Sequence, residues 1–158
     1  MTPPLIGVDI DDTIAFWPPD GVSPSVPEED AVEVLEQWTA EKIARIVYIT
    51  SRKRARREET EGWLRHFGFP CADQVLYEED TSGGKPLALR QRGAFALVDD
   101  MPGTAGAAAS EGLTAYWHDI PKNSHMPSPA PHPKLHPWND WRELDRLVRL
   151  HVSSGEAA

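Results

Sequence analysis

The sequence has almost no cysteine. Cys71 stands alone, so no intramolecular disulfide can form and the fold must rest on core burial, which a chain of 158 residues can supply without a structural metal. The same poverty is compatible with a reducing compartment. Basic residues are also in deficit: 16 lysines and arginines face 25 acids, a formal net charge of -9. That balance argues against a general nucleic-acid binder, whose surface must attract phosphate backbone, while leaving room for a local basic site. No stretch approaches about 18 consecutive apolar residues, and no basic segment leading into a long apolar run opens the chain, so neither a membrane span nor a signal peptide is expected. The reading is a soluble, cytoplasmic protein folded as a single domain over 1–158, with no internal repeat. What is abundant is proline, with 15 residues, which implies packed elements joined by stiff, irregular loops.

Against that background one stretch stands out. Leu5-Ile6-Gly7-Val8-Asp9-Ile10-Asp11-Asp12-Thr13 is an apolar run that stops in three carboxylates. A short apolar run bounded by polar residues fits a strand covered on both faces, and ligands of open α/β sheets gather beyond the carboxyl ends of such strands. Three acids so close together repel one another, and a bound divalent cation relieves them; a turn or helix cap is the plainer alternative.

The rest of the chain alternates strand and helix. Phe16 to Pro27 is a proline-rich loop beside the acids, in which Phe16 and Trp17 serve either as core anchors, the favoured reading, or as apolar walls for a substrate. Ala31, Val34, Leu35 and Trp38 recur at helical spacing between Glu28 and about Lys42. Ala44 to Thr50 is a β-branched strand ending in the hydroxyl pair Thr50-Ser51. The basic run Arg52 to Arg57 then opens a helix through Phe67, either as a solvated face neutralised by Glu58, Glu59 and Glu61, the favoured reading, or as an anion-attracting rim next to Thr50.

Gln74 to Tyr77 is a third strand. Gly83-Gly84 turn into a helix with Pro86 in its first turn, so that Lys85 projects at the helix entrance. Ala94 to Val98 is a fourth strand ending in Asp99-Asp100, and Leu113 to Trp117 a fifth, after an alanine-rich helix. Residues 118–138 form a Pro/His-rich surface segment carrying His118, His125, His132 and His136. Their spacing lies on no helix and no cysteine supports them, so a metal site there is the weaker reading. Asn139 or Asp140 caps a last helix over 139–151. Strands, helices and right-handed crossovers together predict an α/β, three-layer Rossmann-like fold around a five-stranded parallel sheet.

Strand ends and loops thus offer, in order, Asp9 with Asp11, then Thr50, then Lys85, then Asp99 with Asp100. Chemically this set suits phosphoryl transfer. One carboxylate can act as nucleophile and another as acid and base; a hydroxyl and an ammonium can hold phosphate oxygens, and the remaining carboxylate can complete an oxygen-rich Mg2+ site.

These motifs, in this order, resemble the haloacid dehalogenase-like (HAD) hydrolase superfamily over Leu5 to about Tyr116. Val8-Asp9-Ile10-Asp11-Asp12-Thr13 is similar to its first motif and Ile46-Val47-Tyr48-Ile49-Thr50 to its second. Lys85 followed by Pro86 is similar to the third, and Ala96-Leu97-Val98-Asp99-Asp100 to the fourth in its paired-aspartate form. The resemblance implies that Asp9 attacks phosphorus to form an aspartyl phosphate while Asp11 protonates the leaving oxygen and later activates water. It implies Mg2+ held by Asp9, the main-chain carbonyl of Asp11 and an acid of the fourth motif; strand length favours Asp100 over Asp99, with one residue of slip exchanging them. Thr50 and Lys85 would hold the phosphoryl group. For a reaction at neutral pH, the pKa of Asp11 should be raised.

Larger members of that superfamily carry an inserted cap domain, and here neither the interval from Thr13 to Thr50 nor that from Ser51 to Gly84 has room for one. An open site is expected, covered at most by the Phe16–Pro27 loop, the Pro/His-rich segment or a second subunit. Thr50-Ser51-Arg52 and the paired aspartates are similar to the 5'(3')-deoxyribonucleotidase branch, which implies a nucleoside monophosphate as the first small substrate, Ser51 and Arg52 near its phosphate and Phe16 or Trp17 against its base. A nucleic-acid phosphate end is the alternative that the basic run permits. A phosphorylated receiver domain, which orders its acids and lysine differently, and a catalytically silent binding domain are the rivals of another class.

Overall fold

The computed structural model of the chain describes residues 2–157. Its strands are β1 (Leu5–Val8), β2 (Ala15–Phe16), β3 (Val26–Pro27), β4 (Arg45–Thr50), β5 (Val75–Tyr77), β6 (Ala96–Asp99), β7 (Thr114–His118) and β8 (Leu135–Trp138). Its helices are α1 (Ala31–Ala40), α2 (Arg57–His66), α3 (Gly84–Gln91), α4 (Pro102–Ser110) and α5 (Trp141–Ser153). Six strands form one sheet in the order β5-β4-β1-β6-β7-β8, with every neighbouring pair parallel. The order doubles back at β1, so the crevice beyond its carboxyl end is flanked by β4 and β6, the place where α/β sheets bind ligands.

Strand periodicity sorts the core into two layers. Ile6, Val8, Ile46, Tyr48, Ala96, Val98 and Tyr116 turn to one face, where Val34, Leu35 and Trp38 of α1, Leu64 of α2 and Leu144 and Val148 of α5 cover them. Val47, Ile49, Leu97 and Ala115 turn to the other, under Ala88 and Leu89 of α3 and Ala105, Ala108 and Ala109 of α4. Gly7 has a steric reason to lack a side chain: a Cβ there would lie 2.5 Å from Leu89 Cδ1, so α3 could not seat on β1. Between β4 and α3 the chain contains only α2, β5 and short turns, all of them part of the layers.

The sheet differs from the expected five strands. The sixth, β8, lies inside the segment read as a Pro/His-rich surface stretch, which hid its signal: Leu-His-Pro-Trp has no β-branched alternation. Proline is tolerated because β8 is an edge strand that serves β7 with carbonyls, Ala115 N–H donating to Lys134 O and Asp119 N–H to Trp138 O. Two of the four histidines of that segment are used for packing. His118 stacks on Trp138 with ring centroids 4.1 Å apart, and His136 lies against Tyr116 at 5.9 Å. His125 and His132 are exposed, and among the described residues no histidine joins a metal-ligating cluster. Asp140 caps α5, its Oδ1 accepting from Glu143 N–H at 2.9 Å. The loop after β1 also carries more structure than expected, folding back as the antiparallel hairpin β2–β3.

Candidate active site

The acids converge because neighbouring parallel strands end together. Asp9 continues the β1–β6 ladder, its N–H donating to Val98 O, so it emerges beside Asp99 and Asp100. Ligand oxygens of Asp9, Asp99 and Asp100 all lie within 4.8 Å of one another, and all three residues are buried. Lys85 reaches them from the first turn of α3, entered through Gly83 and Gly84, whose φ of +92° and +86° suit only glycine. Its Nζ donates to Asp9 Oδ1 at 2.7 Å and to Asp99 Oδ2 at 2.9 Å. Thr13, just past the tight turn that Asp12 makes at a φ of 62°, lies with Oγ1 3.2 Å from Asp9 Oδ2 and 3.3 Å from Asp100 Oδ1. A hydroxyl has one proton to give, so those two carboxylate oxygens are the least satisfied of the set.

Electrostatics express the crowding. Burial, opposed by Lys85 and reinforced by Asp100, pushes the Asp9 carboxyl up to about 7. Burial and the neighbouring Asp9 push Asp99 up to about 7 as well, and burial raises Asp100. Burial alone would discharge Lys85, but Asp9 and Asp99 outweigh it and raise the pKa, so the ammonium is a permanent cation. When fully ionised, three carboxylates against one ammonium leave two negative charges. A divalent cation cancels that excess and accepts oxygen donors of this kind, so the buried triad fits a hard metal ion.

Asp11 stands apart from the triad. Arg52 grips it in bidentate fashion, Nη2 to Oδ1 at 2.7 Å and Nε to Oδ2 at 2.9 Å, and Trp17 Nε1 donates to Oδ1 at 2.9 Å. Burial works to raise the Asp11 pKa, but the hydrogen bonds and charge of Arg52 overcome it, and the net direction is down. This reverses the expected raised pKa: the responsible cation comes from 41 residues away, beyond the reach of a local reading.

Thr50, at the end of β4, is buried; its Oγ1 accepts from Arg52 N–H at 3.0 Å, which leaves its own proton free to donate. Ser51 turns outward and donates to Glu78 Oε2 at 2.7 Å, so the structure does not bring it to the acids. Of the basic run only Arg52 points inward. Arg54, Arg56 and Arg57 pair with Asp80, Glu59 and Glu61, so the run is a neutralised face in which Asp80 takes the place expected of Glu58.

Phe16 and Trp17 are not core anchors. They remain 44% and 41% exposed because the hairpin stands out from the sheet and leaves nothing to cover them. Together with Pro19, Ile120, Pro121 and Lys122 they line a cavity of about 560 Å³ between the hairpin and the segment after β7. That segment also closes around the acids. Lys122 Nζ pairs with Asp12 Oδ2 at 2.9 Å, and Asn123 Nδ2 donates to Asp100 O at 3.0 Å and to Asp100 Oδ2 at 2.8 Å. Asn123 was invisible to sequence reasoning, since an asparagine in a proline-rich stretch reads first as a turn former.

No protein-family model matches the sequence, and no curated protein sequence matches it. Among solved structures the chain is similar to the class C acid phosphatase from Bacillus anthracis with tungstate bound, with a TM-score of 0.52 and 14% identity over 98% of this chain and 79% of that one. Another structure of the class C acid phosphatase from that organism aligns with a TM-score of 0.47 and 18% identity over 63% of this chain, spanning 52% of its own length. At 14% identity the first likeness establishes the fold alone, a parallel sheet between helical layers shared with a phosphatase.

No helix among the described residues is long and apolar enough to cross a membrane.

Proposed function

We propose that this chain is a magnesium-dependent phosphatase of the haloacid dehalogenase-like kind, hydrolysing a phosphate monoester through an aspartyl phosphate on Asp9. The observation that carries the reading is the buried triad Asp9, Asp99 and Asp100 bridged by Lys85. The shared fold with a phosphatase supports it.

Asp9, the main-chain carbonyl of Asp11 and Asp100 would hold Mg2+. Asp100 suits direct ligation better than Asp99, because both Asp99 oxygens are held at 2.9 Å, by Lys85 on Oδ2 and Met101 N–H on Oδ1, whereas Asp100 Oδ1 meets only the Thr13 hydroxyl at 3.3 Å, whose one proton it shares with Asp9. When bound, the cation neutralises the triad and polarises the phosphoryl oxygens. Lys85 keeps its charge throughout, works against the burial that would protonate Asp9, and orients its carboxylate. The Asp9 carboxylate attacks phosphorus, the P–O bond to the leaving group breaks, and the leaving oxygen takes a proton from Asp11. Asp11, now a carboxylate, then takes a proton from water as that water attacks the phosphorus of the aspartyl phosphate, which releases Asp9 and inorganic phosphate. Thr50 donates its free proton to a phosphoryl oxygen. Arg52 must exchange its grip on Asp11 for the substrate's phosphate, which leaves Asp11 able to hold a proton.

A nucleoside monophosphate is the substrate we favour. The exposed aromatic wall of Phe16 and Trp17, on a cavity of about 560 Å³, suits a flat base, and Trp17 also touches the proposed acid. The pairing of Arg54, Arg56 and Arg57 with acids removes the basic face that a nucleic-acid end would need. A phosphate-release screen over nucleoside monophosphates, sugar phosphates and phosphorylated DNA ends, with and without Mg2+, tests this. Mg2+-dependent release, fastest with nucleoside monophosphates, is the expected outcome; preference for sugar phosphates contradicts the substrate, and absence of release contradicts the activity.

A further inference from the structure

The segment after β7 does more than bridge two strands, and Asn123 is where it meets the acids. Its side chain sits in the short turn Pro121–Asn123 and is buried, the residue being 8% exposed. The amide nitrogen has two hydrogens, and both oxygens facing it belong to Asp100: the peptide carbonyl at 3.0 Å and Oδ2 at 2.8 Å. Since both are acceptors, only the nitrogen end of the amide can face them. Trp117 Nε1 donates to the same peptide carbonyl at 3.1 Å but does not reach the carboxylate. Asn123 therefore fixes what Trp117 cannot, the rotation of the Asp100 carboxylate. With Oδ2 held toward Asn123, Oδ1 is turned to Thr13 and toward Asp9, the side on which the least satisfied oxygens meet.

We infer that Asn123 is a positioning residue that presents Asp100 Oδ1 to a divalent cation, so that the connection between β7 and β8 sets the metal affinity of the site. The inference rests on the proposed function, because it needs a cation at the triad. Outer partners that orient a ligating carboxylate are worth about 10- to 100-fold in metal affinity when removed.

Calorimetric titration of the full chain with Mg2+ alone reads the effect. Asn123→Ala is expected to weaken Mg2+ binding about 10- to 100-fold, with phosphate release returning close to the wild-type rate once Mg2+ is saturating. Trp117→Phe, which deletes only the bond to the peptide carbonyl, is expected to leave Mg2+ affinity unchanged. The split between the two variants is a readout that general loosening of the segment would not produce. If Asn123→Ala does not fold, Asn123→Ser, polar but too short to reach Oδ2, should show the same loss. Wild-type Mg2+ affinity in Asn123→Ala, or an equal loss in Trp117→Phe, overturns the inference alone. A wild-type chain that binds no Mg2+ overturns the proposed function as well, so the two failures are distinguishable.

Discussion

Residue by residue, the site is governed by burial set against charge. Asp9 and Asp99 rise from an ordinary 3.8 to about 7. Between those values the unfolded chain gives up protons that the folded metal-free chain retains, so these groups make stability fall as pH rises from about 4 to about 7, and stay flat above. Thermal melts in a chelator should show Asp99→Asn gaining on the wild type across that window, and added Mg2+ should erase the gain. An Asp99→Asn chain that tracks the wild type at every pH would contradict the assignment. Among the described residues Lys85 is the sole cation paired with the triad. Lys85→Met should cost about 3–5 kcal/mol in chelator above pH 7, as expected for a buried pair that loses one partner, and less in acid where the carboxyls are protonated; urea unfolding at two pH values measures it. Asp11 shifts the other way. Its carboxyl is held low by Arg52, and an acid held low loses its proton at lower pH, so kcat/KM should fall on the alkaline side early. In Arg52→Gln that limb should move to higher pH while KM for substrate rises; an unmoved limb would separate Arg52 from the chemistry.

The element scale explains why this constellation exists at all. Gly7 lets Leu89 of α3 lie directly on β1, and α3 seated there carries Lys85 to Asp9. Gly7→Ala should therefore cost about 1–3 kcal/mol of overpacking and weaken Mg2+ binding with it, both partly restored by Leu89→Ala; denaturant melts of the single and double variants test the coupling. Much of this was legible in the sequence. The β-branched run into Thr50 and the apolar runs into Asp9 and Asp99 read directly as buried strands, because each side chain is selected by its own place on a pleated, covered surface. β8 was not legible. Its four residues are held by carbonyls that accept N–H groups from the β7 side and by the stack of Trp138 on His118, and neither leaves a periodic trace. The aromatic residues of the β2–β3 hairpin misled for a related reason, since an exposed tryptophan that hydrogen-bonds Asp11 has the same local sequence as one buried in a core.

For the molecule as a whole, the likeness that could be read ahead was the order of motifs along strands, which depends on chain topology. The contacts that could not be read ahead close over long intervals: Arg52 to Asp11, Asn123 to Asp100, Trp141 Nε1 to Thr13 O. The last of these joins α5 to the turn that carries Thr13, so α5 bears on both the core and the candidate site. Their aromatic side chains, Trp138 and Trp141, are buried against Trp38 and the sheet. Truncation before Leu135 should abolish cooperative unfolding, as read by circular dichroism; a cooperative melt in the truncated chain would show that the last unit is dispensable. Whether Asp9, with a divalent cation, attacks phosphorus is read out by hydrolysis of p-nitrophenyl phosphate by wild type and Asp9→Asn, each with Mg2+ and with chelator. Turnover is expected only for the wild type with Mg2+; equal turnover in Asp9→Asn, or turnover undiminished by chelator, would rule out Asp9 as a cation-assisted nucleophile.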